Sequence, residues 1–522
     1  MVKFLRWLFK PHRPTEAKKV NTATPPVRVT AKLVRDGNTT GTSTNPSFSE
    51  KEQAEPGGAP IDQTEDLVKP DRTVAPQGQK DIQRLTIGLD FGTAFSKVVI
   101  RGLTAHLIPL RDGRTALDDY LLPTELWVTK SGFCSLTATS DAKRYQDLKK
   151  RILENKVDEC ARIRIIAYLA LLLRRVRQWI IIEKQDIYHN RELNWFINIG
   201  LPTEIHKKKQ LESLYKESVY LAWLLSGGED QISQEAIQKA IVASTIPETT
   251  GAAKGFSIEK IQAFPEFVAQ VTGYTASPQR VPGAHVLVDV GAGTVDSTVF
   301  IVHRHDDEDI HPILEGTVSF KGVFYLLEAR IENTNYGGAW LPDYDTPIPS
   351  RAHFASHMQI NEALLKQAEK PLKDEVYVQV SGDVKKARYD KTPNSKLNWT
   401  DGVPIFLTGG GSHIEFYKEI ISELQKLWRS QLTEHQGIRL DIKPLPPPTH
   451  MDSIDLKNIP KESWHRFSVA YGLSFNALDI GEITSLPTGT IQRPVKTKCP
   501  ICFGSGGGSL TGCAKCSGTG WA

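Results

Sequence analysis

Cysteine is scarce in this chain and unevenly placed. Only six of the 522 residues are cysteine, and two of them, Cys134 and Cys160, lie outside the C-terminal segment. A disulfide-stabilised secreted protein would spread its cysteines through the fold. No secretory signal is recognisable either, because the N-terminal apolar stretch is short and interrupted by charges. The sequence therefore predicts a cytoplasmic protein.

The chain also lacks a long uninterrupted apolar run and a strong charge of one sign. Its most apolar segment, residues 165–182, is broken by Arg174, Arg175 and Arg177, which a membrane-spanning helix would have to place in lipid. We therefore predict a helix of a soluble fold there. The 64 Lys and Arg against 60 Asp and Glu leave a net charge of +4, so no specific nucleic-acid partner is expected.

Composition divides the chain into five predicted regions. With 40% hydrophobic residues the chain is globular overall, but residues 11–84 are rich in Thr, Pro, Ser and Gln and are predicted to be a disordered linker. Residues 85–480 form a large folded domain. Residues 481–498 are a second linker, and residues 499–522 are a small cysteine-containing module.

The remaining region, residues 1–10, is a short basic and amphipathic peptide. Lys3, Arg6 and Lys10 recur at helical spacing, and most positions between them are apolar. This pattern suits a helix that lies flat on an anionic membrane. It predicts contact with a membrane surface and a peripheral position at the inner face of the membrane. A disordered tail and a partner-docking peptide are the alternatives.

Strands and helices alternate through the folded domain, which is the pattern of an α/β architecture. Predicted strands are residues 195–199, 286–290, 297–302 and 405–408, and predicted helices are residues 161–183, 265–272, 360–369, 414–427 and 466–476.

Two segments that lie far apart in the chain share one pattern. Each ends an apolar strand in an aspartate, Asp90 or Asp289, and continues through a glycine turn to a threonine, Thr93 or Thr294. Glycine lets backbone N–H groups come close to phosphate oxygens, and an aspartate can hold a hydrated Mg²⁺ opposite them. The same turn can also be a plain β-hairpin, and the alternation over residues 290–300 fits that alternative.

A third strand, residues 404–408, ends in a glycine-rich turn that opens a helix. Such a turn commonly faces a nucleotide, although a flexible turn is the alternative. The order of the three motifs resembles the actin-like ATPase superfamily, and most closely the seventy-kilodalton heat-shock chaperones, over residues 85–479. The resemblance implies an α/β fold of two lobes, each built on a ribonuclease-H-like sheet with helices, which close on ATP and Mg²⁺.

The resemblance also assigns roles to residues. It implies that Asp90 and Asp289 act in catalysis and organise Mg²⁺ through its water ligands. The loop residues implied to bind the nucleotide are Gly92, Thr93, Ala94, Phe95 and Ser96 at the β-phosphate, Gly291, Ala292, Gly293 and Thr294 at the γ-phosphate, and Gly409, Gly410, Gly411 and Ser412 at adenosine.

The chain departs from the chaperone pattern in the first loop and in a connecting helix. Ala94 and Phe95 stand where the family has a hydroxyl and a tyrosine, which predicts slow hydrolysis. A glutamate that precedes proline in the family here follows it, at Glu266, so this candidate catalytic carboxylate is expected to be displaced or absent. Lys149 or Lys150 is the candidate phosphate-contacting lysine, with a solvated helix face as the alternative.

Two copies of Cys-x-x-Cys-x-Gly-x-Gly lie at the C-terminus, and four thiolates in two close pairs can complete a tetrahedral Zn²⁺ site. A redox dithiol pair is the competing interpretation. The repeat resembles the zinc-finger repeats of DnaJ-type co-chaperones, reduced from four copies to two, which implies a protein client or co-chaperone-like partner. A purely structural tail is the alternative. The predicted zinc ligands are Cys499, Cys502, Cys513 and Cys516.

The region after residue 480 is too short for the peptide-binding domain of a standard chaperone. The sequence therefore predicts a chaperone-like molecular switch that binds and slowly hydrolyses Mg-ATP and acts on a protein partner through its zinc hairpin. Two alternatives are a filament-forming bacterial actin-like protein and a nucleotide-binding scaffold that does not hydrolyse ATP.

Overall fold

The structure is a computed structural model of the whole chain. It describes residues 81–480, apart from 147, 154–156, 202–208, 229, 244–254, 303–311, 333–347, 393–398, 400–401, 431–437 and 449–458. The described residues belong to one of two compact units, Asp62–Ala522. The predicted N-terminal peptide, nearly all of the first linker, the second linker and the cysteine module with its four zinc ligands lie outside the described residues.

The first lobe is built around a mixed sheet. Its strands run in the order β3-β2-β1-β8-β9, with β4 beside β2; β1 to β3 are antiparallel neighbours, whereas β1, β8 and β9 run parallel. The first lobe also contains a smaller sheet, in which β5 pairs with both β6 and β7. The elements are β1 Asp81–Phe91, β2 Phe95–Arg101, β3 Ala105–Leu107, β4 Leu122–Pro123, β5 Leu126–Val128, β6 Cys134–Ser135, β7 Lys143–Tyr145, α1 Leu148–Leu153, α2 Glu159–Glu183, α3 Gln185–Tyr188, β8 Arg191–Leu201, α4 Lys209–Ser226, α5 Gln234–Ala243 and β9 Ile261–Pro265.

The second lobe repeats this arrangement. Its strand order is β12-β11-β10-β13-β14, again with three antiparallel strands followed by parallel ones. The elements are α6 Glu266–Thr275, β10 Gly283–Val290, β11 Val295–Val302, β12 Ile313–Ser319, α7 Val323–Glu332, α8 Arg351–His357, α9 Glu362–Lys385, β13 Val403–Thr408, α10 Glu415–Ser430 and β14 Leu440–Lys443; a 3-10 helix, Lys461–Phe467, and α11 Ser468–Leu473 follow.

The two sheets also match in register at their first hairpins. Asp90 lies opposite Lys97 across the β1–β2 pair, and Asp289 lies opposite Asp296 across the β10–β11 pair. Each aspartate therefore has a cross-strand partner seven residues later. The hairpin alternative is thus correct for the backbone of both motifs. The doubled architecture confirms the predicted α/β fold class and is consistent with a two-lobed actin-like fold.

The apolar segment forms a buried helix of the first lobe, α2. Its arginines are accommodated inside the protein because they find partners there. Arg174 donates to the carbonyl groups of Leu225 and Asp230 at 3.2 and 2.9 Å, while the Arg177 guanidinium lies over the Trp223 ring. Within the described residues, no helix is both long and apolar enough to cross a membrane.

The four predicted strands lie inside observed strands, but one helix is much longer than predicted. Helix α9 continues past residue 369, where the predicted helix ends, and through Pro371. Proline removes one backbone hydrogen bond from a helix interior. Beyond Pro371, Val376, Val380 and Val384 recur every four residues and are buried in the hydrophobic core of the second lobe. This packing stabilises the extra turns and outweighs the local effect of proline.

The chain returns to the first lobe at its end. Helix α11 follows the second lobe in sequence, yet the Asn198 side chain on β8 donates to the carbonyl groups of Leu473 and Phe475, both at 2.8 Å. Helices α6 and α11 cross at Ala269 and Gly472, and a Cβ atom on Gly472 would overlap the Ala269 carbonyl oxygen. Glycine is required at this crossing because the two backbones touch.

Replacing Gly472 by alanine should therefore destabilise the protein by about 3 kcal/mol or more, since a backbone contact cannot yield as a flexible side chain does. Gly382→Ala is the matched control. Gly382 lies inside α9, and a Cβ atom there would meet nothing within 4 Å, so its substitution should stabilise the helix by about 0.5–1 kcal/mol. Urea unfolding of both variants measures the difference, and equal stabilities would contradict the tight crossing.

Candidate functional site

A cavity of about 340 Å³ lies where the turns after β1, β10 and β13 meet, and its volume is in the range of small-molecule sites. Most residues that the sequence predicts for the site line it. These are Asp90, Gly92, Thr93, Ala94, Phe95, Glu266, Asp289, Gly291, Ala292, Thr294, Gly409, Gly410 and Gly411.

Three predicted binding residues do not line the cavity but contact the loops that do. The Ser96 hydroxyl lies 3.2 Å from the Thr124 hydroxyl, and the Ser412 hydroxyl lies 2.8 Å from His465 Nε2. A Cβ atom on Gly293 would lie 3.2 Å from the Thr93 hydroxyl oxygen, so the turns of the two lobes pack directly on each other. These residues fix the loop positions.

Thr124 holds the first turn in place. Its hydroxyl donates to the Gly92 carbonyl, and its backbone N–H donates to the Ala94 carbonyl, both at 2.8 Å. Because Ala94 and Phe95 carry no hydrogen-bonding side chain, Thr93 is the hydroxyl that this turn brings to the cavity. The turn is therefore rigid but has few side-chain donors.

Helix α7 is docked on the second turn. The backbone N–H groups of Val323 and Phe324 donate to the carbonyl groups of Gly291 and Ala292, at 3.1 and 2.8 Å. The first N–H groups of a helix have no partners inside the helix. Here the turn satisfies them, which fixes its conformation and places the apolar side chains of Val323 and Phe324 at the cavity.

The glycine-rich third turn packs against the second aspartate. Gly409 has a φ angle of +82°, and a Cβ atom there would overlap Asp289 Oδ1. Only glycine adopts this conformation readily and leaves room for the carboxyl group. The neighbouring Gly411 N–H donates to the Val290 carbonyl at 2.8 Å. The third turn therefore closes one wall of the Asp289 environment.

Two lysines pair with two of the acidic groups in the cavity. Lys97 Nζ lies 2.5 Å from Asp90 Oδ2, and Lys149 Nζ lies 2.5 Å from Glu266 Oε1. Burial lowers the pKa of Lys149, but the negative charges of Glu266 and Asp90 raise it more, so the pKa lies above its usual value. Of the two candidate lysines, the structure places Lys149 in the cavity. The resemblance includes Lys97 as the last residue of the first loop, Asp90 to Lys97, but gives it no role of its own, although it is the cross-strand partner of Asp90.

Glu266 reaches the cavity despite its reversed order with proline. It is the first residue of α6, and its carboxylate pairs with Lys149. Its stem passes close to Gly200 of β8, where a Cβ atom would lie 2.9 Å from Glu266 Cγ. The glycine leaves room for the side chain, so Glu266 lines the cavity as the predicted candidate carboxylate. Its displacement relative to the chaperone pattern stays a prediction.

Two further carboxyl groups share this region without a lysine partner. Gln270 donates to Asp289 Oδ2, and Asp296 Oδ1 is buried with no hydrogen-bond partner among the described residues. Burial, followed by the negative charge of Glu266, raises the pKa of Asp289 to about 7 and that of Asp296 well above its usual range. The part of the cavity around Asp289 and Asp296 is thus short of positive charge.

This deficit fits a magnesium ion bound through water. Carboxylate oxygens are the ligands that Mg²⁺ prefers, and the ion usually keeps several of its waters. In the part of the chain that the structure describes, no three His, Cys, Asp or Glu side chains converge closely enough to hold a metal directly. The residues therefore fit the water-mediated role implied for Asp90 and Asp289, with Asp296 as a further acceptor.

Four further residues line the cavity and were given no individual role from the sequence, although Asp296 ends the predicted second loop: Gln270, Asp296, His465 and Arg466. Two of them carried a signal. Gln270 lies four residues after Glu266 and thus on the same face of α6, and Asp296 is the cross-strand partner of Asp289. The helix predicted over residues 466–476 begins at Arg466, but no local pattern places His465 or Arg466 at the cavity, because the position of the observed 3-10 helix depends on contacts with the first lobe.

No protein-family model and no curated protein sequence matches the chain. Among solved structures, it is similar to the crystal structure of MreB 5 of Spiroplasma citri bound to AMPPNP, with 12% sequence identity and a TM-score of 0.36. The match covers 74% of this chain and 94% of that chain. A likeness this weak carries no argument about function. None of the comparisons supports the heat-shock chaperone specificity or the DnaJ-type zinc repeats that the sequence predicts.

The raised pKa of Asp289 predicts how stability depends on pH without a bound cation. The folded protein holds this proton more tightly than the unfolded chain, so stability is lost as the pH rises from about 4 to about 7. Asp289→Asn removes the ionisation and should stabilise the nucleotide-free protein at pH 8 by about 1–4 kcal/mol, with a smaller gain at pH 5.5.

Urea unfolding at both pH values, in a metal-chelating buffer, measures this gain. The exposed Asp390→Asn substitution in the second lobe is the control and should change stability little at either pH. A loss of stability in Asp289→Asn at pH 8, or an equal gain at both pH values, would contradict the buried and charge-poor environment.

Proposed function

We propose that the cavity binds ATP with Mg²⁺ and that the protein hydrolyses it. One observation carries the proposal. The two sheets bring equivalent hairpin turns to one cavity, and each turn has a strand-ending aspartate with a charged cross-strand partner. Glycine turns supply backbone donors for phosphate oxygens, and the buried carboxyl groups supply the acceptors that a hydrated cation needs.

In this proposal the two hairpin turns hold the phosphate chain. Thr93 and Thr294 contribute hydroxyl donors beside the backbone N–H groups, and Lys97 and Lys149 contribute positive charge. Bound Mg²⁺ would neutralise charge on the phosphate oxygens, and Asp90 and Asp289 would hold its water ligands. The nucleoside would lie toward the glycine-rich third turn and the apolar side chain of Phe324.

The groups around Asp289 fit the activation of a water molecule. Gln270 Oε1 is buried without a hydrogen-bond partner among the described residues, and it lies on the side chain that donates to Asp289. A carboxyl group with a pKa near 7 is suited to accept a proton from an attacking water. Gln270 would orient that water and Asp289 or Asp296 would receive its proton.

Lys149→Gln tests the phosphate assignment. The substitution removes a buried charge from the cavity and should weaken Mg-ATP binding about 10- to 100-fold, the range of a lost charged hydrogen bond. Lys150→Gln is the matched control, since it removes the same charge from the next residue of α1 outside the cavity lining. Titration with a fluorescent ATP analogue measures both. Equal affinities in the two variants would remove Lys149 from the site.

The proposal takes two forms, which differ in what nucleotide binding drives. In one, lobe closure acts on a protein partner, with the predicted zinc hairpin and N-terminal peptide as contact regions. In the other, ATP drives assembly of the chain into filaments. The non-hydrolysing scaffold is the alternative to both.

Ultracentrifugal pelleting with Mg-ATP, with Mg-ADP and without nucleotide, combined with phosphate release from the same tubes, separates these forms. We expect phosphate release above that of Asp289→Ala. Pelleting that requires ATP indicates filaments, and soluble protein that releases phosphate indicates a partner-directed switch. If the protein binds nucleotide but releases no more phosphate than buffer alone, the result would contradict hydrolysis and support the non-hydrolysing scaffold.

A further inference from the structure

Arg466 occupies a place in the cavity that the proposed function has not used. It lies in the 3-10 helix Lys461–Phe467, where residues three apart share a face. Trp464 and Phe467 are buried on that shared face, in a cluster with first-lobe residues such as Tyr120. These two anchors fix the helix, and Arg466, between them in sequence, lies at the cavity.

The surroundings of Arg466 come from both lobes. Its guanidinium carbon lies 5.7 Å from the centre of the Phe95 ring in the first turn. Its Nη2 atom lies 3.8 Å from the position of a Cβ atom on Gly410, in the third turn. The guanidinium therefore stands between the turn assigned to phosphate and the turn assigned to the nucleoside.

The guanidinium is charged but has no hydrogen bond or ion pair in the part of the chain that the structure describes. Burial lowers the pKa of Arg466 to about 10, with the carboxylate of Asp118 acting in the opposite direction, so the side chain keeps its charge at neutral pH. Arg466 is half-buried, and removing even part of a charged group from water without a partner is costly. Arg466 is thus an electropositive group at the cavity whose donors are available to a ligand.

The first turn has no side-chain donor facing Arg466. Ala94 and Phe95 have no polar side-chain atoms, and the Ser96 hydroxyl is directed to Thr124. The Phe95 ring instead supports the guanidinium by a cation–π contact. A planar guanidinium can donate two parallel hydrogen bonds to phosphate oxygens, which a hydroxyl cannot.

We propose that Arg466 binds the α- and β-phosphates of the nucleotide and thereby makes the site specific for nucleoside di- and triphosphates over nucleosides. This inference rests on the proposed function and goes beyond it by assigning recognition of the inner phosphates to a side chain outside the three glycine turns. A contact with the nucleobase would be a different role, since stacking of the guanidinium on the base ignores phosphate charge.

The test compares wild type with Arg466→Gln and Arg466→Lys by calorimetric titration with ADP, without Mg²⁺, and with adenosine. Lys461→Gln is the matched control, because Lys461 is an exposed cation at the start of the same 3-10 helix. We expect Arg466→Gln to weaken ADP binding about 10- to 100-fold and to leave adenosine binding unchanged. Arg466→Lys should be intermediate, and Lys461→Gln should match wild type.

A second readout is the salt dependence of ADP affinity, which should decrease in Arg466→Gln because one screened charge pair is gone. Equal weakening of ADP and adenosine, or no weakening of either, would overturn the inference. If Arg466→Gln does not fold, Arg466→Lys decides, since it keeps the charge and loses the paired donors. Wild-type protein that binds neither ADP nor ATP would instead reject the proposed function.

Discussion

The shortage of positive charge around Asp289 and Asp296 governs what the cleft can bind. Of the five acidic side chains that line the cavity, four are held by the two sheets and by α6, and the lysines Lys97 and Lys149 pair with only two of these four. The other two keep raised pKa values because burial and a neighbouring carboxylate disfavour their ionisation. A ligand that brings a cation relieves this repulsion. A ligand that brings phosphate groups finds donors in the glycine turns opposite.

The scaffold positions these groups by repetition. The same strand order in both lobes brings two hairpin turns to one cavity, although the turns are distant in sequence. The crossing of α6 and α11 joins the lobes behind it, and Gln270 connects that crossing to the cavity because it donates both to Asp289 and to the Ser468 hydroxyl. Through Gln270, the Asp289 carboxyl group is thereby connected to the two helices that link the lobes.

The local sequence pattern predicts those parts of the site that depend on backbone conformation. Glycine turns after apolar strands can be recognised in the sequence because the backbone conformation itself requires glycine. Asp296 could have been predicted from the sequence, since the hairpin alternative already implied a cross-strand partner for Asp289. Arg466 was not, because packing against the first lobe positions it, and no local pattern reveals such a contact. The length of α9 was missed for a related reason, as buried valines outweigh Pro371.

The return of the chain to the first lobe at Leu473 affects how the protein is made. Strand β1 emerges early from the ribosome, but the backbone of α11, which Asn198 bonds to, is synthesised hundreds of residues later. Contacts of such long sequence separation form slowly because closing the loop costs entropy. The first lobe therefore remains incomplete through most of translation, and the two halves of this duplicated architecture cannot be separated at the boundary between the sheets.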